Sequence, residues 1–180
     1  MPTEKRIAIE EEKNAKQRAF EYQLEILKFE MGYIEHSIAR MDEITQTTKY
    51  WAILIWSGSI SLILGQQTLK QYVLFTAAIP LSFALIDARW RFWLGRFSDR
   101  QGKISAFINS SDLEKAMKTY DLSGFIVLDP MGKLNRNDPD LKKKRTFRRA
   151  LRSTEVLPFY LGMLLISLTI GTFFYLNPIP

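Results

Sequence analysis

Few side chains in this chain of 180 residues could carry out catalytic chemistry. Cysteine is absent, which excludes thiol nucleophiles and thiolate metal sites, and the single histidine, His36, cannot form a multi-histidine metal site. No Gly-rich phosphate loop, HExxH, EF-hand or GxSxG motif occurs, and the acidic pair Asp138 and Asp140 falls in a predicted polar loop. We therefore expect a protein that is not an enzyme and that uses no metal or cofactor.

The side chains best suited to ligand binding are arginines, lysines and aromatic rings beside apolar stretches. Arginines alternate with rings directly after one apolar stretch, and seven cations within residues 142–152 precede another. Next to a membrane span, such rings occupy the headgroup zone while guanidinium groups reach lipid phosphates. The predicted partners are anionic lipid headgroups; nucleic acid or a nucleotide is the less favoured alternative. The predicted lipid-interface residues are Arg89, Trp90, Arg91, Trp93, Arg96, Lys142, Lys143, Lys144, Arg145, Arg148, Arg149 and Arg152.

Two apolar stretches are long enough to require a membrane. Residues 50–86 contain one charge, Lys70, which lies within a polar break at 65–71, and residues 156–176 contain none. Because about 20 helical residues cross the hydrocarbon, the first stretch predicts a transmembrane hairpin and the second a third span. Pro80 is predicted to kink the second span. The charged N-terminus has no apolar h-region, so we expect no cleavable signal peptide.

The charge distribution predicts the orientation. Residues 1–49 hold eight Lys/Arg and ten Asp/Glu, a net charge of −2, whereas residues 88–153 hold sixteen against seven, a net charge of +9. The positive-inside rule then places both segments in the cytoplasm and the C-terminus outside an inner membrane. The predicted organisation is a cytoplasmic amphipathic helix (1–49), a transmembrane hairpin (50–87), a basic cytoplasmic segment (88–153), and a third span with a short outer tail (154–180).

A heptad pattern marks the N-terminal segment. Apolar residues alternate at spacings of four and three, as in a coiled coil, with charged side chains such as Glu30 as solvated flanks. The pattern fits self-association, packing on the chain's own cytoplasmic segment, or docking of an unrelated partner. The predicted seam consists of Phe20, Leu24, Leu27, Met31, Ile34, Ile38 and Met41. Tyr22, Ile26, Phe29 and Tyr33 add apolar surface outside the seam.

Small residues recur along all three predicted spans. Such faces let helix backbones approach closely in lipid, where packing drives association. We expect the face of the first span to pack on the second span or, alternatively, on a neighbouring subunit. The predicted small-residue faces are formed by Ser57, Ser61, Gly65, Ala78, Ser82, Gly162, Ser167 and Gly171.

Local signals place shorter elements in the basic segment. Asp87, at the cytoplasmic end of the second span, is predicted to pair with Arg91 one turn later. Ser111 with Glu114 forms a predicted capping box, which starts a short helix that runs to about residue 120. Residues 125–128 form a brief extended run before a turn.

A cytoplasmic helix, a two-span hairpin and the following charged, aromatic-rich sequence Asp87-Ala88-Arg89-Trp90-Arg91-Phe92-Trp93 occupy about residues 20–108. This layout resembles the SLATT type of small prokaryotic membrane protein. The resemblance implies a hairpin that forms membrane-disrupting pores in conflict and defence systems, often under nucleotide-signal control. The chain departs from that pattern in the segment 111–140 and in the third span.

The sequence as a whole predicts an all-α membrane protein with three transmembrane helices, a long N-terminal coiled-coil-like helix and a small basic cytoplasmic segment. The expected function is that of a homo-oligomeric channel or membrane-perturbing effector. The alternative is a non-enzymatic scaffold or accessory subunit that docks a cytoplasmic partner through the N-terminal helix. A third hypothesis assigns ligand binding to residues 111–152.

Overall fold

A computed structural model describes residues 2–122, 124–130 and 146–177, with side chains from residue 6 onward. Within these ranges the chain is helical and has no strand, which confirms the predicted all-α class. The helices are α1 (Pro2–Gly65), α2 (Ala78–Ile108), α3 (Ser111–Thr119), α4 (Phe147–Leu151) and α5 (Leu157–Leu176), and a 3₁₀ helix spans Gln67–Ala77. Four of the predicted lipid-interface residues, Lys142 to Arg145, lie outside the described residues.

The long N-terminal helix predicted from the sequence is present, and it continues without a break into the first apolar stretch. After Pro2 no proline interrupts the 64 residues of α1, so no amide donor is missing from the helix interior. Where the polar part meets the apolar part, the hydroxyls of Thr45 and Thr48 bond back to the carbonyls of Met41 and Ile44, each at 2.8 Å. These bonds satisfy the two hydroxyls locally.

The chain divides into two compact units. Unit 1 takes its described residues from Met1–Ile38 and Arg96–Asn137, and unit 2 takes its described residues from Ala39–Gly95 and Asp138–Pro180. Helices α1 and α2 each contribute to both units.

Unit 1 has a core built around the seam face of α1. Phe20 packs with Ala116 of α3 and with Leu122, all at most 5% exposed. Phe107 stacks on Phe125 with ring centroids 4.3 Å apart. The apolar contacts therefore join α1 to the segment between the end of α2 and residue 127.

Helix α3 begins where the sequence predicts, but a different serine caps it. Ser110 is the N-cap residue, and its Oγ accepts a hydrogen bond from the amide of Asp112 at 3.2 Å. The predicted cap, Ser111, is the first residue of the helix. From the sequence alone, either serine of the Ser110-Ser111 pair could serve as the N-cap. In the structure Ser110 has the extended backbone of an N-cap residue (φ −99°, ψ 162°) and takes that role.

Unit 2 has its core between α1, α2 and α5. Ala52, Ala84, Val156, Tyr160 and Met163 are buried together, each at most 9% exposed. The 3₁₀ helix Gln67–Ala77 packs on α5. Most of the predicted polar turn (65–71) and the start of the predicted second span lie in this 3₁₀ helix, and α-helix begins at Ala78. Pro80 is the third residue of α2, which follows the 3₁₀ helix directly, and the kink expected there stays a prediction.

In the part of the chain that the structure describes, two helical segments are long and apolar enough to cross a membrane, Gln67–Ile108 and Leu157–Leu176. The apolar end of α1, residues 50–65, would rise about 24 Å at 1.5 Å per residue.

Candidate functional site

Ionisable side chains from all parts of unit 2 meet at one end of its helical bundle. Arg91 of α2 forms an ion pair with Glu155, which lies just before α5. Lys49 of α1 lies over the Phe159 ring of α5, 5.8 Å from its centroid. At the opposite end Lys70 lies 5.6 Å from the ring centroid of Phe174. Lys49 lies next to Phe159 and Trp56 lies next to Ser167, so the contacts advance together along both helices and α1 and α5 run parallel within unit 2.

Asp87 lies at this charged end, which we define by Lys49, Asp87, Arg91, Glu155 and Tyr160. The Asp87 side chain is completely buried, and neither carboxylate oxygen has a hydrogen-bond partner among the described residues. The Tyr160 hydroxyl faces the carboxylate without meeting hydrogen-bond geometry, and the charges of Lys49 and Arg91 act on it. A buried carboxylate is costly unless positive charge compensates it, and these two cations supply that compensation.

The predicted pairing of Asp87 with Arg91 needs correction. Arg91 forms its ion pair with Glu155, although the two residues are far apart in the sequence. Its positive charge acts on Asp87 electrostatically, without a direct ion pair. A one-turn spacing allows a pair on an isolated helix, but here the burial of Asp87 against α5 and the position of Glu155 decide otherwise.

Three polar side chains form a chain of hydrogen bonds in the middle of the bundle. The indole Nε1 of Trp56 donates to Oγ of Ser167 at 2.7 Å, and Ser167 Oγ lies 3.2 Å from Oγ1 of Thr76. Thr76 Oγ1 also lies 2.7 Å from the carbonyl of Val73. Because each hydroxyl has one proton, the arrangement that uses each donor once runs from Trp56 to Ser167 to Thr76 to Val73. We call Trp56, Ser167 and Thr76 the hydroxyl chain; it leaves none of their donors unused.

Among the described residues, the small-residue face of α5 is the one of the three predicted faces that is used inside the chain. Ser167 and Gly171 are buried, and a Cβ atom on Gly171 would lie 2.5 Å from Cδ2 of Leu74 in the 3₁₀ helix. Gly162 is half-buried, and a Cβ atom there would meet nothing within 4 Å.

The other two predicted small-residue faces are exposed in the single chain. One of them, which we call the open small-residue face, consists of Ser57, Ser61 and Gly65 of α1 and does not pack on α2. The side of α1 that points into the bundle contains Ala52 and Trp56 instead. Ala78 and Ser82 of α2 are likewise exposed.

The predicted seam faces the interior of unit 1 in its first part. Phe20, Leu27 and Ile34 are at most 4% exposed. The remaining members are half-buried: Leu24 and Met31, and nearer the apolar end Ile38 and Met41. In unit 1 the described contacts of Phe20 and Leu24 are therefore with Ala116 and Leu122 of the same chain, which fits one of the three interpretations that the pattern allows.

A buried ion pair that the sequence did not predict fixes the loop after α3. Glu30 is completely buried, and its two oxygens accept from Nε and Nη2 of Arg100 at 2.8 and 2.9 Å. The same oxygens accept the amides of Leu128 and Asp129, both at 2.9 Å. Arg100 also donates to the carbonyl of Ile126, and its Cζ lies 5.0 Å from the ring centroid of Phe125. Four donors thus converge on one carboxylate.

Glu30 was expected to be a solvated flank of the seam, and that expectation is wrong. It lies three residues after Leu27 and four before Ile34, both buried, so helical geometry places it on their face. This spacing was the available signal. The charge alone suggested exposure because unpaired carboxylates are rarely buried.

The predicted lipid-interface residues that are described divide between the two units. In unit 2, Arg89 is exposed with its Cζ 5.6 Å from the Trp93 ring centroid, and Trp90 is half-buried. Arg96 is half-buried in unit 1. Arg148, Arg149 and Arg152 are exposed around a cavity in unit 2.

No family model matches this sequence, and the searches of curated proteins and of solved structures also return no match.

Proposed function

We propose that this is an inner-membrane protein with three spans, with the N-terminal helix and the basic segment in the cytoplasm and the C-terminus outside. The depth of the hydroxyl chain supports the third crossing. Ser167 lies near the middle of Leu157–Leu176, about 15 Å from either end of that helix. The hydrogen bond from Trp56 to Ser167 then puts Trp56 near mid-membrane. The apolar end of α1 accordingly lies in the lipid together with the two segments that have membrane length.

The charged end of unit 2 supports the proposed orientation. Lys49 at the end of the polar part of α1, Arg91 after the apolar part of α2, and Glu155 before α5 all lie at that end. A bundle inserted with this end toward the cytoplasm leaves the segments 1–49 and 88–153 on one side, as the positive-inside rule requires.

Within that membrane, the protein is proposed to self-associate into a channel or membrane-perturbing assembly. The observation that carries this proposal is the open small-residue face, Ser57, Ser61 and Gly65, on a helix that would be surrounded by lipid. Small residues offer lipid little packing and offer another helix a close approach. Ala78 and Ser82 provide a second exposed face of the same kind on α2.

A path for ions would have to run between copies. Inside one copy the hydroxyl chain is sealed in the bundle, where Ser167 and Thr76 are at most 3% exposed. The hydroxyls of Ser57 and Ser61 are instead exposed on α1. Several copies arranged in a ring through these faces would place the hydroxyl groups along the narrow interface between neighbouring α1 helices. Such an arrangement gives no wide polar pore.

The test is a comparison of assembly and leakage for variants of the open small-residue face. We expect the purified protein to form oligomers and to release dye from liposomes. Ser61→Leu would insert bulk into a close contact at a cost of about 1–3 kcal/mol and weaken association by a factor of about 5 to 150. Mass measurement of the solubilised particle and dye release should fall together. Ile55→Phe, which enlarges an exposed side chain about 120° around the same helix from that face, is the control. The proposal would be contradicted if the wild-type oligomer released no dye, or if Ser61→Leu released as much dye as the wild type.

A second candidate function is that of an accessory subunit that binds a cytoplasmic partner. It is favoured by a row of exposed aromatic side chains on α1 in unit 1: Tyr22, Phe29 and Tyr33 are 65%, 71% and 47% exposed. Aromatic residues in such positions are enriched at binding surfaces. If this function holds, a Tyr22→Ser/Phe29→Ser variant should lose a partner that co-purifies with the wild type from native membranes. Ile9→Ser, which removes another exposed apolar side chain of α1, should retain that partner. Equal recovery from both variants would rule this surface out.

A further inference from the structure

We infer that the helical bundle of unit 2 is too short for a bilayer of ordinary thickness and thins the lipid around it. The inference deepens the proposed function: it rests on the proposed three-span arrangement and names the lipid that the bundle fits, a phospholipid with short acyl chains. It is based on the distance between the charged atoms at the two ends of the bundle.

Two lysines mark these ends along α5. The Nζ atom of Lys49 lies 5.8 Å from the ring centroid of Phe159, and the Nζ atom of Lys70 lies 5.6 Å from the ring centroid of Phe174. The two phenylalanines are 15 residues apart on one helix, so the levels of the two charges differ by about 22 Å. The hydrocarbon core of a typical bilayer is about 30 Å thick. The charge-free part of the bundle is therefore about 8 Å too short.

The apolar end of α1 gives an independent measure of the same thickness. Residues 50–65 follow Lys49, contain no charge and lead into the polar residues of the 3₁₀ helix. They rise about 24 Å. Trp56 of this stretch donates to Ser167, which lies close to the midpoint between the two phenylalanines on α5. The two short stretches therefore cover the same layer of the bundle.

Side-chain movement at the charged end does not remove the difference. Long cationic side chains can extend toward the headgroups, but Asp87 is completely buried, and the charges of Lys49 and Arg91 compensate it. Moving these cations outward would leave a buried carboxylate without compensation, which is costly. Arg91 is also held by its ion pair with Glu155. At the opposite end, extension of the single side chain of Lys70 covers only part of the difference.

A span that is shorter than the hydrocarbon core is accommodated by thinning of the bilayer or by association of copies. Tilting the helices would only shorten the bundle further along the membrane normal. Both responses fit a membrane-perturbing assembly, because copies that associate bring their thinned surroundings together and a thinner apolar layer is easier for polar solutes to cross. The mismatch thus supplies a physical means for the proposed permeabilisation.

The experiment measures which acyl-chain length the full-length protein prefers. The protein is reconstituted in mixtures of dimyristoleoyl, dioleoyl and dierucoyl phosphatidylcholine, which differ only in chain length, and one lipid of each mixture is brominated. Quenching of tryptophan fluorescence by the brominated lipid then gives relative binding constants. We expect the short-chain dimyristoleoyl lipid to bind about threefold or more tighter than the dioleoyl lipid, because mismatch adds a cost for every ångström. The long-chain dierucoyl lipid should bind most weakly.

Variants of the outer charge test the cause of this preference. Lys70→Leu removes the charge and lengthens the charge-free part of the bundle, so the preference should shift toward the dioleoyl lipid. Lys70→Arg keeps a charge at the same position and should retain the short-chain preference. Lys28→Leu, which changes an exposed lysine of unit 1, should also retain it.

Each outcome bears on the inference. Tightest binding of the dioleoyl or dierucoyl lipid by the wild type, or the same preference in Lys70→Leu and Lys70→Arg, would overturn it and leave the three-span arrangement in place. Absence of quenching by every brominated lipid would contradict that arrangement and the inference together. Dye release is not measured in this experiment, so its result is independent of the proposed permeabilisation.

Discussion

Glu30→Gln is expected to lower the free energy of unfolding of unit 1 by about 3–5 kcal/mol, the cost typical of removing one partner of a buried ion pair. Glutamine fits the same space, but it replaces one acceptor oxygen by an NH2 donor. Each Glu30 oxygen accepts one bond from Arg100 and one from a backbone amide. In either orientation, the glutamine NH2 group therefore faces one Arg100 N–H and one backbone N–H, which are also donors. Arg100, which is only 7% exposed, also loses its counter-charge.

Hydrogen exchange measured by mass spectrometry would detect this loss where it arises. The amides of Leu128 and Asp129 donate directly to Glu30, so their protection should fall furthest, and thermal unfolding should shift to lower temperature. Glu35→Gln, an exposed change of the same type on the same helix, is the matched control and should alter stability by less than about 0.5 kcal/mol. If the two variants behave alike, the carboxylate of Glu30 does not hold the loop.

A Glu30→Met/Arg100→Met variant separates the charge effect from the loss of the loop contacts. Removing both charges avoids an unpaired buried ion, so this variant should be more stable than Glu30→Gln. It should not reach wild-type stability, because the amides of Leu128 and Asp129 still lose their acceptor. A cost equal to or larger than that of Glu30→Gln would show that the charges do not dominate.

The parts of the fold that local patterns control were predictable from the sequence. The long N-terminal helix follows from its helical periodicity and lack of internal proline, and the end of α2 at Ile108 follows from the polar residues that come next. The start of α3 was predicted to within one residue, because Ser, Asp and Glu at a helix start form a strong local signal.

The parts that depend on distant contacts were not predictable. Arg100 and Glu30 are 70 residues apart in the sequence, and no local spacing links them. The loop that they hold has a left-handed backbone at Leu128 (φ 64°). L-residues other than glycine rarely adopt this conformation, so a leucine in the sequence does not predict it. The extended run predicted at 125–128 reflected apolar composition, whereas the carboxylate of Glu30 determines the conformation observed there.

The same distinction applies in unit 2. Apolar composition located the segments that enter the bundle, but it could not separate an α-helix from the 3₁₀ helix Gln67–Ala77, since both bury the same residue types. Small-residue spacing identified faces on α1, α2 and α5 without indicating which of them is used inside the chain. That choice depends on which helix approaches most closely, and only the approach of Leu74 to Gly171 shows it.

Gly171→Val should destabilise unit 2 by about 2–3 kcal/mol, the upper part of the usual cost of overpacking. A Cβ atom at residue 171 would lie 2.5 Å from Cδ2 and 2.6 Å from Cγ of Leu74, and 3.1 Å from its backbone nitrogen. Rotation of the Leu74 side chain could relieve the first two contacts. The third involves the backbone, so the 3₁₀ helix itself must move away from α5. That shift would also strain the bond between Thr76 and Ser167, because Thr76 lies two residues after Leu74.

Thermal unfolding in detergent, followed by tryptophan fluorescence, measures this effect, because Trp56 donates to Ser167 and should respond when the hydroxyl chain is disturbed. Gly162→Val is the matched control on the same helix, since a Cβ atom there meets nothing within 4 Å. It should change stability by less than about 1 kcal/mol, the scale of helix propensity differences. Equal destabilisation by the two variants would mean that the close approach of the 3₁₀ helix to α5 is not what requires glycine at residue 171. A specific loss in Gly171→Val would instead establish that this glycine positions the segment that follows the first apolar stretch.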